Sequence, residues 1–479
     1  MTIWDKIAKI AKEVLGDSAP TPKNLSSIQD KIVPESGVRA AKSYTSFNND
    51  ISDIEVLPEY DFIKQAIGAG CPSLFVTGKA GTGKSTLVRW LTHEIDSCAV
   101  VAPTAIAAVN VGGVTIHSLF GLPASHIDPG DEFNPSSKTR TVVENLKCLI
   151  IDEVSMVLPN LVDVMDKILR QVRRNETPFG GIPTIFIGDL LQLPPVVSSQ
   201  EETIYFSHRY KTLYFFSADV FKTQELLPIN LNEVRRQTDK RFIEALSHIR
   251  TNKDHRDHVA LFNRTCFRDK THDPDIHGIY LVPTNRQAKK INTEKLDSLT
   301  SELHVFEART TGNVPVGRWK INVPSQLELK LGAKIIFLKN KQPQWVNGDL
   351  GEVVGIEPDC IRIKKDKTDN VLLVGREVWY KFSYTYNYQT QKIEKTQIGT
   401  FEQFPLSLGW AMTIHKSQGM TLNNAIIDLG GGAFCEGQTY VALSRARTIE
   451  GITLVRPISM KDVKVDPVVL AFYRNLGME

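Results

Sequence analysis

The chain has 479 residues, of which 42% are hydrophobic and 23% charged, and its formal net charge is +3. That length suits about three globular domains of about 150 residues, and so small a charge excludes an indiscriminate polyanion binder, so any nucleic-acid contact belongs in a local groove. No apolar run approaches the ~18 residues needed to span a bilayer, and six scattered cysteines without a CxxC pair suggest neither a zinc site nor a disulfide framework.

In chain order, MTIWDKIAKIAKEVLG reads as an amphipathic helix, but Asp5 and Glu13 make it a poor targeting peptide. A cytoplasmic, nucleoid-associated location in a prokaryote is expected, with the nucleus as the other option. Residues 18–49, rich in Pro, Ser, Asn and Lys, read as a linker. From Ile51 the runs SLFVT, AVVAP, KCLIIDE and PTIFIGD alternate with helical segments, the rhythm of a parallel α/β sheet. A second series, GIYLVPTN, NNAIIDLG and GITLVRP, follows Arg235 and implies a second sheet. Between them the texture from Arg309 to Phe404 is alternating β, with the turn NGDLG at Asn347. The expected organisation is therefore an N-terminal helix and linker (1–50), a first domain (51–230), a second domain in two pieces (231–308 and 405–479) and an all-β insertion (309–404). Residues 123–141 are too long for an ordinary connector and read as flexible or as a functional projection.

FVTGKAGTGKSTLVRW fits the pattern GxxxxGK(S/T) at Gly78, Gly83, Lys84 and Ser85, between an expected strand and an expected helix. The backbone through Ala80, Gly81, Thr82, Gly83 and on to Thr86 would close around a phosphate chain at the positive end of that helix. Lys84 would reach the β- and γ-phosphates, and Ser85 a Mg²⁺ ion. CLIIDEVSM places Asp152 and Glu153 directly after a strand, where Asp152 would support the metal and Glu153 would polarise an attacking water. ATP hydrolysis is the working expectation. In IFIGDLLQLPPV, Gln192 is a candidate γ-phosphate sensor. LNEVRRQTD and TYVALSRART each offer an arginine able to stabilise charge in the transition state, although an isolated arginine is usually a solvated ion-pair partner.

GKAGTGKST, APTAIAAVNVGGVTIHSLFG, LIIDEVSM, IFIGDLLQLPPV, EVRRQTD, GWAMTIHKSQGMTL and YVALSRAR, in this order, resemble superfamily 1B DNA helicases, most closely the petite integration frequency (PIF) family. The resemblance runs from about Leu57 to Pro457. It implies two RecA-like P-loop domains around ATP, an SH3-like β insertion in the second, and 5′-to-3′ movement on single-stranded DNA with unwinding of duplex or structured DNA. A monomer serving DNA replication, repair, recombination or telomere and genome maintenance is the accompanying expectation, with the preferred DNA structure, a G-quadruplex among the options, left open. By position it assigns Lys84, Ser85, Asp152, Glu153 and Gln192 to the first domain's share of the ATP site, and Arg236, Gly419 and Arg445 to the second's. Thr104, His117 and Phe120 match the strand-contacting segments of the first domain, with Phe120 able to stack on a base. Thr284, Asn285, Thr413, His415 and Lys416 match those of the second, with groups suited to phosphate contacts. Residues 123–141 fall where the family carries a wedge-like element. The glutamine that family members often place upstream of the P-loop to read adenine is here Tyr60 or Asp61, which leaves base preference open. The rival reading is a nucleotide-dependent DNA-binding switch that separates no strands; a nucleotide kinase would need neither the second sheet nor its arginines.

Overall fold

The computed structural model describes residues 7–9, 12, 54–123, 127–197, 199–237, 239–268, 278–312, 323–339, 341, 344–345, 349–366, 370–387, 389 and 392–478. The expected N-terminal helix and linker lie outside them except at 7–9 and 12, which are helical, and Ile7 is buried against the first domain. The expected turn at Asn347 also lies outside them.

The first sheet has six parallel strands: β1 (Ser73–Gly78), β2 (Cys98–Ala102), β3 (Val114–Thr115), β4 (Cys148–Ile151), β5 (Thr184–Ile187) and β6 (Leu227–Leu231). Their spatial order is β3-β2-β4-β5-β1-β6. Every residue of β1, β4 and β5 is buried, as continuous apolar strands covered on both faces should be. β5 lies between β4 and β1, with Val76 opposite Ile187 and Ile151 opposite Phe186. The loops after these three strands therefore emerge side by side at one carboxyl edge, where open α/β sheets bind ligands. β3 and β6 were not among the expected strands.

The second sheet is also parallel. β7 (Ile279–Val282) is flanked by Ala411–Thr413 on one side and by Ala425–Ile427, then Ile452–Leu454, on the other. The edge strand Ala411–Thr413, which ends in threonine, does not stand out in the sequence as an apolar run. Between the two pieces of this domain the chain is antiparallel β. A five-stranded sheet ends on Leu406–Leu408, and a long hairpin, Glu377–Asn387 with Lys392–Gln403, pairs with Arg309–Gly312.

One segment departs from expectation, and a second is anchored to its domain. The helix Pro467–Asn475, assigned by its position to the second domain, inserts Val469 and Tyr473 into the first domain's core, beside Phe75 and Phe215. Its apolar residues complete the β1 face of that core, and chain order could not show this. Residues 123–141, outside 124–126, are held down: Ile127 is core, Asn160 Nδ2 donates to its carbonyl at 2.6 Å, and Lys167 Nζ donates to Pro129 O and Asp131 O at 2.8 and 2.7 Å. The long hairpin lies against the helix Ser137–Glu144 in which that segment ends, and Phe382 packs on the first domain's core. Among the described residues no helix is long and apolar enough to cross a membrane.

Candidate nucleotide site and nucleic-acid face

β1 runs into the phosphate loop, and the helix Lys84–Glu94 starts at Gly83. Gly81 and Gly83 have φ of +83° and +86°, which a side chain resists, and a Cβ on Gly81 would sit 2.5 Å from Arg236 Cβ. Tyr60, a candidate for the base-reading position, lies beneath the loop and donates its hydroxyl to Gly83 O at 3.0 Å. Lys84 Nζ donates to Gly78 O and Lys79 O at 2.7 and 3.0 Å. Burial pulls its pKa below the ordinary lysine value, while Asp189 and Glu153 oppose that shift.

Around the loop lies a cleft of about 570 Å³. Ala80, Gly81, Thr82, Gly83, Lys84, Ser85 and Thr86 line it together with Glu153 and Gln192 of the first domain and Arg236, Gly419 and Arg445 of the second. Sequence reasoning had not singled out Arg235, Thr421 and Arg447, which line it too. Gly78 and Asp152 are not among the lining residues. Asp152 is buried, and burial first, then the charge of Glu153, pushes its pKa up to about 7.

Glu153 adopts φ 51°, ψ 44°, a left-handed conformation that non-glycine residues disfavour and that recurs at functional sites. Burial raises its pKa, opposed by the charges of Lys84 and Arg445 and by a hydrogen bond from Gln418. Gln418 Nε2 donates to Glu153 Oε2 at 3.0 Å and reaches Gln192 Oε1 at 3.5 Å. Sequence reasoning had passed over Gln418, although it sits in the same TIHKSQG run as four of its candidates.

The two domains meet around the phosphate loop. Tyr440 accepts from Ala80 N at 2.9 Å, and Tyr473 accepts from Leu190 N at 3.2 Å while its hydroxyl lies 2.8 Å from Thr77 Oγ1. Asp189, after β5, and Arg250, on the helix Lys240–Thr251, form a buried pair with contacts of 2.7 to 3.2 Å. Burial raises the Asp189 pKa, but the charge and hydrogen bonds of Arg250 outweigh it and hold the carboxyl below its ordinary value. Arg236 Nη1 donates to Ser444 O at 3.4 Å. Arg445 is 1% exposed and donates to Val441 O, Ser417 O, Met420 O and Ser444 Oγ. A solvated ion-pair role for Arg445 is thereby excluded.

The strand-contacting candidates fall on corresponding places in the two sheets. β2 ends in Ala102-Pro103-Thr104 and β7 in Val282-Pro283-Thr284; each threonine caps the helix that follows, accepting from Ala107 N and Gln287 N at 3.2 and 3.3 Å. Beside each lies an edge strand that runs into Thr-Ile-His: Thr115 pairs with Ala102, and Thr413 with Val282. Thr284, Asn285 and Lys416 are exposed, while Thr104, His117 and His415 are half-buried, and burial lowers the pKa of both histidines. Two candidates fail the geometry of direct contact. Phe120 is 1% exposed within the first core, so its ring offers no face to a base. Thr413 is buried with its hydroxyl accepting from Lys416 N at 3.2 Å, and it shapes the turn from within.

Two parallel sheets, with a phosphate loop on one and arginines of the other domain, the buried Arg445 among them, lining the same cleft, define a two-domain P-loop architecture of the RecA-like kind. The PIF1-like helicase family model matches residues 59–258. The ATP-dependent DNA helicase Pif1 of Bdellovibrio bacteriovorus is 33% identical over 434 residues, covering 89% of this chain and 93% of that protein. Among solved structures, Bacteroides Pif1 in complex with ADP-AlF4 superposes with a TM-score of 0.81 at 36% identity, covering 89% of this chain and 98% of that one. Bacteroides Pif1 in complex with ADP-AlF3 and single-stranded DNA matches at 0.64, with the same identity and coverage. The chain belongs to the PIF1-like helicase family.

Proposed function

We propose that this chain is an ATP-dependent DNA helicase that moves 5′ to 3′ along single-stranded DNA and separates duplex or structured DNA ahead of it. The observation that carries the reading is the shared cleft, in which the phosphate loop, Glu153 and Gln192 face Arg236 and Arg445 of the other domain. In this reading Lys84 and the loop amides hold the β- and γ-phosphates, Glu153 accepts the proton of the attacking water, and Gln192 senses the γ-phosphate. Arg236 and Arg445 stabilise the charge that spreads over the transferred group. The Ser85 hydroxyl and the Asp152 carboxylate are the hard oxygen donors that Mg²⁺ takes alongside phosphate and water. Bound there, the ion neutralises phosphate charge; the protein's part is to present those two oxygens.

Thr104, His117, Thr284, Asn285, His415 and Lys416 form the face for the DNA strand, and Thr413 shapes it from within. Because this face is divided between the sheets, opening and closing of the cleft changes the spacing of its halves, which is what stepping requires. The antiparallel insertion is read as SH3-like, and a place of action on the chromosome, in a prokaryotic cytoplasm, accompanies the reading.

Strand displacement tests it. Duplexes with a 5′ tail should be unwound in the presence of ATP, and duplexes with only a 3′ tail should not. ATP turnover with binding of both substrates but no displaced strand would instead identify the DNA-binding switch.

A further inference from the structure

We propose that Gln418 is the positioning residue through which DNA at His415 and Lys416 controls the carboxylate of Glu153. The inference rests on the helicase reading above and adds a route between its two sites.

The turn from Thr413 to Met420 is closed by its own hydrogen bonds. Ser417 N donates to Thr413 O, Gln418 N to His415 O and Met420 N to Ser417 O, at 3.0 to 3.2 Å. Ser417 Oγ donates to Ile414 O at 2.8 Å, and Lys416 N to Thr413 Oγ1. Such a unit moves as one piece, so a push on the exposed Lys416 or the half-buried His415 displaces Gln418 as well. Arg445 Nη1 grips the unit on both sides of Gln418, donating to Ser417 O and Met420 O at 3.4 and 3.3 Å. One end of the turn therefore faces the strand, and the other holds a transition-state arginine and the amide on Glu153.

The side chain suits the role. Gln418 is 8% exposed, and its one amide nitrogen spans Glu153 and Gln192, two residues of the opposite domain that face the γ-phosphate position. Its Oε1 is buried and has no hydrogen-bond partner among the described residues, so the amide orientation is held by the donor side alone. A shift of the turn then re-aims the Glu153 carboxylate. Geometric misplacement of that kind costs rate without weakening nucleotide binding. Coupling between two binding sites is reciprocal, so nucleotide in the cleft must also change DNA affinity, and by the same route.

The test begins with the wild-type chain. Absence of any stimulation of ATP turnover by oligo-dT would remove the helicase reading itself, before Gln418 is examined. With stimulation present, Gln418→Met should lower the DNA-stimulated kcat about 10-fold or more while KM for ATP stays within about twofold. The ratio of oligo-dT Kd without and with ADP–aluminium fluoride, different from one in wild type, should move to about one in the variant. A kcat within about twofold of wild type, or an unchanged Kd ratio, overturns the proposal. Amide hydrogen exchange on the wild-type chain tests it without a variant: oligo-dT alone and ADP–aluminium fluoride alone should each slow exchange across residues 413–420. If the nucleotide leaves that turn unaffected, the route does not exist.

Discussion

Arg445→Ala separates a catalytic arginine from a structural one, because the structure sets two opposing contributions to stability. The guanidinium makes four hydrogen bonds to neutral acceptors, two of them long at 3.3 and 3.4 Å. At about 1 kcal/mol each, their loss would destabilise the fold by about 3–4 kcal/mol. Against this, burial and then the charge of Arg236 pull the Arg445 pKa from 12.5 to about 9. That direction disfavours the buried charge, and the alanine variant escapes the cost. These two oppose each other, but the alanine also leaves a cavity where one of the largest fully buried side chains stood, so stability should fall by a few kcal/mol and Tm with it. Catalysis has no such compensation. A bound triphosphate supplies the anion that makes the buried cation favourable, most of all as charge spreads in the transition state, and losing such an arginine typically lowers the rate about 10³-fold or more, about 4 kcal/mol of barrier. The assay is DNA-stimulated ATP turnover over a range of ATP concentrations, beside a thermal melt. A variant that is folded at the assay temperature and turns over within about threefold of wild type would refute the two-domain site at this residue.

Glu153→Gln should retain ATP binding and lose about 10²- to 10⁴-fold in kcat, since the amide can still accept from Gln418 but cannot take a proton from water; equilibrium binding of a labelled nucleotide and single-turnover hydrolysis check the two halves separately. Arg250→Met leaves Asp189 charged and buried without its partner, so stability should fall by about 3–5 kcal/mol at pH 7. Because the Asp189 pKa is depressed in the folded state, the pair's contribution is present above the ordinary carboxylate range and is lost as pH falls through the folded value; denaturant melts of wild type and variant should therefore converge on acidification. Phe120→Ala should lower stability by about 3–5 kcal/mol through the cavity it leaves, while the folded protein binds oligo-dT within about twofold of wild type. Weakened DNA binding at an unchanged Tm would return Phe120 to the strand face.

Much of the site is written in contiguous runs whose chemistry depends on local spacing. A glycine-rich turn between a strand and a helix forms a phosphate cradle wherever it folds, so the stretch from Ala80 to Thr86 was legible, as were Asp152 and Glu153 after β4. Four strands of the first sheet and three of the second were visible because parallel strands covered on both faces are unbroken apolar runs. β3 and Ala411–Thr413 are edge strands that end in threonine, and neither reads as an unbroken apolar run. Composition alone could not separate a stacking ring from a core ring: Phe120 and any exposed phenylalanine read alike until helix and sheet close over one of them. Gln418 and Arg250 escaped for a related reason, since each acquires its meaning from a partner more than 60 positions away, Glu153 at 265 and Asp189 at 61. The helix Pro467–Asn475 returns to the first domain because its apolar face fits the uncovered side of β1, and only packing decides that. The sequence by itself determined which groups could meet a phosphate. Tertiary structure decided which of them share one cleft, because burial and charge pairing depend on chain segments that only folding brings together.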